Sequence, residues 1–145
     1  MNKNTYNKIL NYSQTPAQKL YREGMDLYFG ITQPVSKSEA LGKLYKSATL
    51  GYVPAILRFN EYCGVGQRMK ADELLKKGAD VGDPICAYFY AQICYKSKKK
   101  SEEYILQLFY LAHKCGINVT DKMRSLINIL PQDKKDKWIT ILTGG

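Results

Sequence analysis

The side chains of this sequence that could do covalent or metal chemistry are few. Four cysteines (Cys63, Cys86, Cys94 and Cys115) and one histidine, His113, are its nucleophile, base and soft-ligand candidates. A structural zinc site gathers four such ligands, usually in short Cys-x-x-Cys or Cys/His pairs. No Cys-x-x-Cys occurs, and no histidine lies near the first three cysteines. A Cys–His dyad would join His113 to Cys115, but residues two apart on a helix face nearly opposite sides. The run Cys63-Gly64-Val65-Gly66-Gln67-Arg68-Met69-Lys70 has the glycines of a phosphate loop. It lacks Gly-Lys-Ser/Thr and a preceding strand, and its glycines suit a turn between helices. Two acid pairs, Asp72-Glu73 and Glu102-Glu103, could work as general acid and base. Both stand where helices are expected to begin, and there a carboxylate favours the positive end of the helix dipole. These residues predict no catalytic residue, no metal and no cofactor, hence no enzyme.

What remains is the material of a scaffold. The 145 residues, 45% hydrophobic and 24% charged, suit one globular domain over 1–145 that buries a core without metals or disulfides. The 22 Lys and Arg against 13 Asp and Glu leave a net charge of +9, which attracts nucleic acid, anionic lipid or an acidic protein. The densest basic run is Lys96, Lys98, Lys99 and Lys100, the composition of a solvated loop as much as of a site. No apolar stretch approaches the roughly 20 residues that span a bilayer. Met1 to Leu20 is polar and has no secretory h-region. The expectation is a cytoplasmic protein without membrane attachment, its cysteines reduced and mostly buried.

The elements that position these residues repeat. Gly51, Gly82 and Gly116 are preceded at eleven residues by Ala40, Ala71 and Ile105, at seven by Leu44, Leu75 and Phe109, and at three by Ala48, Ala79 and His113. Apolar residues at steps of four that end in a small residue and a glycine describe one helical stripe stopped at its C-terminus. Pro54 and Pro84 follow two of the glycines at first-turn positions. Ala55, Phe59 and Cys63 then match Cys86, Tyr90 and Cys94 at i, i+4 and i+8. Thr15 and Asp83 are predicted N-caps, and Thr120 or Asp121 a third. The pattern predicts helix pairs at 16–29 and 37–50, 53–63 and 68–79, and 83–95 and 100–115, followed by capping helices within 117–143.

The second helices carry a family likeness. Glu39-Ala40 and Lys70-Ala71, then Leu44-Tyr45, then Lys46-Ser47-Ala48 and Lys77-Gly78-Ala79, follow the second half of the Sel-one-like repeat, a relative of the tetratricopeptide repeat. Gly82-Asp83 followed by Cys86, Tyr88, Tyr90 and Ala91 resembles the opening of such a repeat. The likeness covers about residues 16–116. Gly24 keeps the family's mid-helix glycine, whereas Asn60 and Ala91 replace it and Lys19 takes a small-residue position. Some secreted members join cysteines at the spacing of Cys86 and Cys94. Here both fall on one predicted helix, about 12 Å apart by rise and beyond disulfide reach.

The resemblance implies an all-α fold, a short right-handed α-solenoid of about three helix-turn-helix repeats with a C-terminal helical cap. It implies a concave face that holds one protein partner, in an adaptor, a regulatory subunit or an inhibitor of the immunity-protein kind. Residues beside the core stripe of the first helices are the expected partner-binding set: Arg22, Met25, Arg58, Glu61, Tyr62, Phe89 and Gln92. Their companions in steering an acidic partner would be Lys96, Lys98, Lys99 and Lys100. Nucleic-acid binding is the alternative, from the same charge and the twelve tyrosines available for stacking. A monomer or weak dimer is expected.

Overall fold

In a computed structural model, residues 14–144 are described; most of the polar N-terminal stretch lies outside them. These residues form α1 (Pro16–Phe29), α2 (Lys37–Thr49), α3 (Val53–Tyr62), a short 3-10 turn (Val65–Gln67), α4 (Arg68–Asp80), α5 (Pro84–Ser97), α6 (Glu102–Lys114), α7 (Thr120–Asn128) and α8 (Gln132–Leu142). No strand occurs among them, and the fold is all-α. Two compact units share the chain, Met1–Gly78 and Ala79–Gly145, with the boundary inside α4. Within each unit successive helices pack on their neighbours, the order of packing found in a short helical solenoid.

The predicted stop signals act as expected. Gly51, Gly82 and Gly116 have φ of 89°, 94° and 90°, a region an L side chain enters only with strain. A β-carbon at any of the three would meet open space, so backbone conformation alone selects glycine. The columns read before them are buried at Ala40, Leu44, Ala48, Ala71, Leu75, Ala79, Ile105 and Phe109. His113 is the exception. It is exposed, and Ala112 fills the small-residue place in α6 instead.

In the first unit, Thr15 and Gln18 form a reciprocal capping box at the start of α1. At its other end Asp26 ties down the connecting loop, accepting from the Thr32 amide and hydroxyl and from Gln33. These bonds hold its carboxyl below its ordinary range, the Thr32 hydroxyl most of all. The approach of α1 to α2 is set by Gly24, where a β-carbon would lie 3.0 Å from the buried Leu44 side chain and 3.2 Å from the Ala40 carbonyl. One turn away, the buried Ser47 hydroxyl donates to the Ala17 carbonyl at 2.6 Å, and Lys43 pairs with Glu23 at 2.7 Å.

In the second unit, Asp83 caps α5 by accepting from the Cys86 amide at 2.8 Å, and Ser101 caps α6. The expected side-chain cap of α7 is absent. Val119 takes the N-cap position and is buried, while Thr120 begins the helix and Asp121 lies in its first turn. Burial of the valine outweighs a surface cap here, since a buried aliphatic side chain contributes about 1.5–3 kcal/mol and a cap about 1. On α8, Trp138 is buried edge-on against Tyr110, centroids 5.8 Å apart. Its indole N–H has no partner among the described residues. Beside it Lys134 and Lys137 each reach Glu103 of α6 at 3.2 Å.

Two outcomes follow from these contacts. Gly24→Ala gains helix propensity of about 1 kcal/mol but drives a methyl group into Leu44 and the α2 backbone. Overpacking of about 2 kcal/mol prevails, and a lower urea midpoint reports the net loss. The second outcome concerns pH. The Lys137 and Lys134 bonds hold the Glu103 carboxyl below the usual glutamate value of 4.5. A carboxyl with a depressed folded pKa stabilises above its unfolded value and ceases to as pH falls through its folded value. Acidification through and below 4.5 therefore loosens α8, read as a change in Trp138 emission, and Glu103→Gln flattens that transition.

Candidate functional site

The first unit carries an aromatic face built by α1 and α3. Tyr21, Met25 and Tyr28 are spaced i, i+4 and i+7 and share one side of α1. Arg58, Glu61 and Tyr62 stand at i, i+3 and i+4 on α3. Tyr28 and Tyr62 stack face to face, centroids 4.0 Å apart and planes 11° from parallel. Phe29 lies edge-on to both, at 5.1 Å from Tyr28 and 6.3 Å from Tyr62. Tyr52, just ahead of α3, meets Tyr21 edge-on at 5.4 Å. Each such pair contributes about 0.5–1.5 kcal/mol beyond burial, and rings so held lose little further freedom when a ligand covers them. Phe29 is nonetheless 57% exposed.

Cations border these rings. The Lys37 ammonium lies 5.3 Å from the centre of Tyr28. Arg58 bonds to the Tyr21 hydroxyl and to Glu61, in that order of effect, and both keep its guanidinium charged. The Arg58–Glu61 pair spans 2.9 Å but is solvent-exposed, so it adds little stability. Its consequence is to fix where the guanidinium sits. Partial burial raises the Tyr62 phenol pKa, so this hydroxyl stays a neutral donor.

The structure thus brings together Arg58, Glu61 and Tyr62 from the predicted set. Arg22 is exposed and Met25 half-buried on the same α1. Phe89 and Gln92 belong to the second unit, where both meet Tyr88: Phe89 edge-on at 5.5 Å, Gln92 by donating to its hydroxyl at 2.9 Å. Sequence reasoning missed Tyr21, Tyr28, Phe29, Tyr52 and Lys37. The spacing of Tyr21, Met25 and Tyr28 is a legible signal for the first two tyrosines.

The basic run caps α5 and opens the loop to α6, with all of Lys96, Lys98, Lys99 and Lys100 exposed. Lys98 and Lys100 line a cleft of about 510 Å³ whose walls include Tyr95, Ile105, Leu126 and Ile129. Lys96 and Lys99 do not line it. Glu102 does, which tempers the positive charge. Lys98 is the one non-glycine residue at positive φ among the described residues, at 56°.

Cys86 and Cys94 are buried on α5, Cys63 is half-buried and Cys115 exposed, all as free thiols. Burial first, and Asp83 second, push the Cys86 thiol up to about 12, which keeps it protonated and inert. No group of three metal-ligating side chains is gathered among the described residues. The acid pairs divide: Glu102 and Glu103 occupy the first turn of α6 as expected. Asp72 lies a full turn inside α4, paired with Arg68 at 3.2 Å, so an ion pair and not the helix dipole accounts for it. No described helix is long and apolar enough to cross a membrane. Compared with family models, curated proteins and solved structures, the chain finds no match.

Lys98→Gly tests the strained cap. Glycine enters the left-handed region without the cost of about 1 kcal/mol that a β-carbon carries there. The substitution raises stability by about that amount in chemical denaturation, with the fold unchanged by circular dichroism.

Proposed function

We propose that this chain is a non-enzymatic protein–protein interaction module, an adaptor or an inhibitor of immunity type, working in the cytoplasm as a monomer or weak dimer. Its docking surface is the aromatic face of the first unit, and its partner is a polypeptide with an acidic surface. The observation that carries this reading is the half-exposed ring cluster of Tyr28, Phe29 and Tyr62 bordered by Arg58 and Lys37. Tyrosine and arginine held rigidly at a surface are the anchors that dominate protein interfaces. The net charge of +9 supplies steering toward an acidic partner. A Sel-one-like helical repeat, as the sequence pattern suggests, is a scaffold suited to that task. The basic cleft at Lys98 and Lys100 supports the alternative, nucleic-acid binding, though Glu102 on its lining counts against a phosphate backbone there.

The test uses the full chain, immobilised in lysate of its source with nuclease present and at two salt concentrations. The expected result is one acidic protein retained by the parent chain and by Lys76→Glu, a charge change on an exposed residue of α4 away from the rings. Arg58→Glu abolishes its capture, and Phe29→Ala weakens it about tenfold. Capture indifferent to Arg58→Glu and Phe29→Ala overturns the site. Recovery of nucleic acid alone, lost at high salt, overturns the protein-partner reading in favour of the alternative.

A further inference from the structure

We infer that the cleft between α7 and α8 is a binding site for a small amphiphilic carboxylate. Its volume is about 390 Å³, within the range of about 300–1,000 Å³ usual for small-molecule sites. Thr120, Met123, Arg124, Ile127 and Asn128 line it at i, i+3, i+4, i+7 and i+8, one continuous face of α7. Met123 and Ile127 form an apolar floor. Ile139 and Leu142 of α8 form the facing wall. Ile139 is 47% exposed, apolar surface that an alkyl chain would remove from water at about 0.8 kcal/mol per methylene.

The polar groups at this cleft select the head group. Among the described residues Arg124 is its one permanent charge, His113 lines it too, and no carboxylate does. Among the described residues no acid pairs with Arg124 and no hydrogen bond engages it. A guanidinium presents a planar fork that matches a carboxylate with two parallel bonds. The hydroxyls of Thr120 and Thr143 and the amide of Asn128 supply neutral donors around it. Size argues against a protein occupant. A partner interface draws on about 20–30 residues a side, whereas nine described residues line this cleft. The lysine cleft is less suited to the same ligand, since its own Glu102 opposes an anion.

Decanoate and decylamine, kept below their micellar concentrations, and decanol, kept below its solubility limit, are the probes. The chain holds a single tryptophan, and Trp138 adjoins Ile139 in α8, so its emission reports occupancy; amide chemical shifts locate it. The expected result is saturable, submillimolar decanoate binding with shifts confined to the end of α6, α7 and α8. Arg124→Gln weakens decanoate about tenfold and leaves decanol unchanged, while Ile139→Asp abolishes both. Arg124 is exposed, so Arg124→Gln keeps the test decisive should Ile139→Asp unfold. Equal binding of decanoate and decylamine, indifference to Arg124→Gln, or the absence of saturable binding each overturns the site.

Discussion

A helix of nine to fourteen residues, the range found here, is barely stable by itself. Each helix in this chain depends on how closely a neighbour can approach. That closeness is a matter of small residues. Gly24, Ala40, Ser47 and Ala48 keep the α1–α2 contact thin enough for Leu44 to be wholly buried beneath it. In the second unit Ala87, Ala91 and Ala112 serve alongside the buried Cys86 and Cys94. The thiols are thereby explained as volume, small enough to permit approach and apolar enough to be enclosed. Once the small side of each stripe is committed to packing, the larger side chains beside it have two fates. They wedge between neighbours, as Phe59 and Phe109 do, or they emerge at the surface, as Phe29 does.

This division accounts for what the sequence disclosed. Helix period and limits were legible because glycine at positive φ and proline at a first turn are local devices, decided by covalent geometry before any tertiary contact forms. Every predicted helix lies within two residues of an observed one. Where the reading failed, a tertiary contact had outweighed a local rule. The column through Ala48 and Ala79 does not continue to His113, because α6 presents Ala112 to its neighbours and turns the imidazole outward. Val119 displaced Thr120 as the cap of α7 because its side chain had a core to enter.

The candidate surface was half legible for the same reason. That Arg58, Glu61 and Tyr62 share a face is an intrahelical fact, fixed by spacing. That Tyr62 stacks on Tyr28, or that Lys37 covers Tyr28, depends on the crossing of two helices and on rotamers chosen against several neighbours at once. No periodicity holds that information. The cleft of α7 was hidden in a different way. Its stripe of Met123, Leu126, Ile127 and Leu130 is buried, and shielding of the core accounts for it. The neighbouring stripe through Thr120, Arg124 and Asn128 looks like a solvated face until α8 lies across from it.

Much of the basic excess is spent within the fold. Lys43 and Arg68 pair with acids, Lys134 and Lys137 share Glu103, and Lys70, Lys114 and Lys122 lie over aromatic rings. Such contacts are individually weak at a surface, but they fix where positive charge resides. Cations that border aromatic or apolar surface include Lys37 and Arg58 at the rings of α1 and α3, Lys98 and Lys100 at the α5–α6 turn, and Arg124. Isolated cations beside apolar or aromatic surface recognise single anionic groups on otherwise apolar ligands, such as an acidic side chain within a protein interface or the head of an amphiphile.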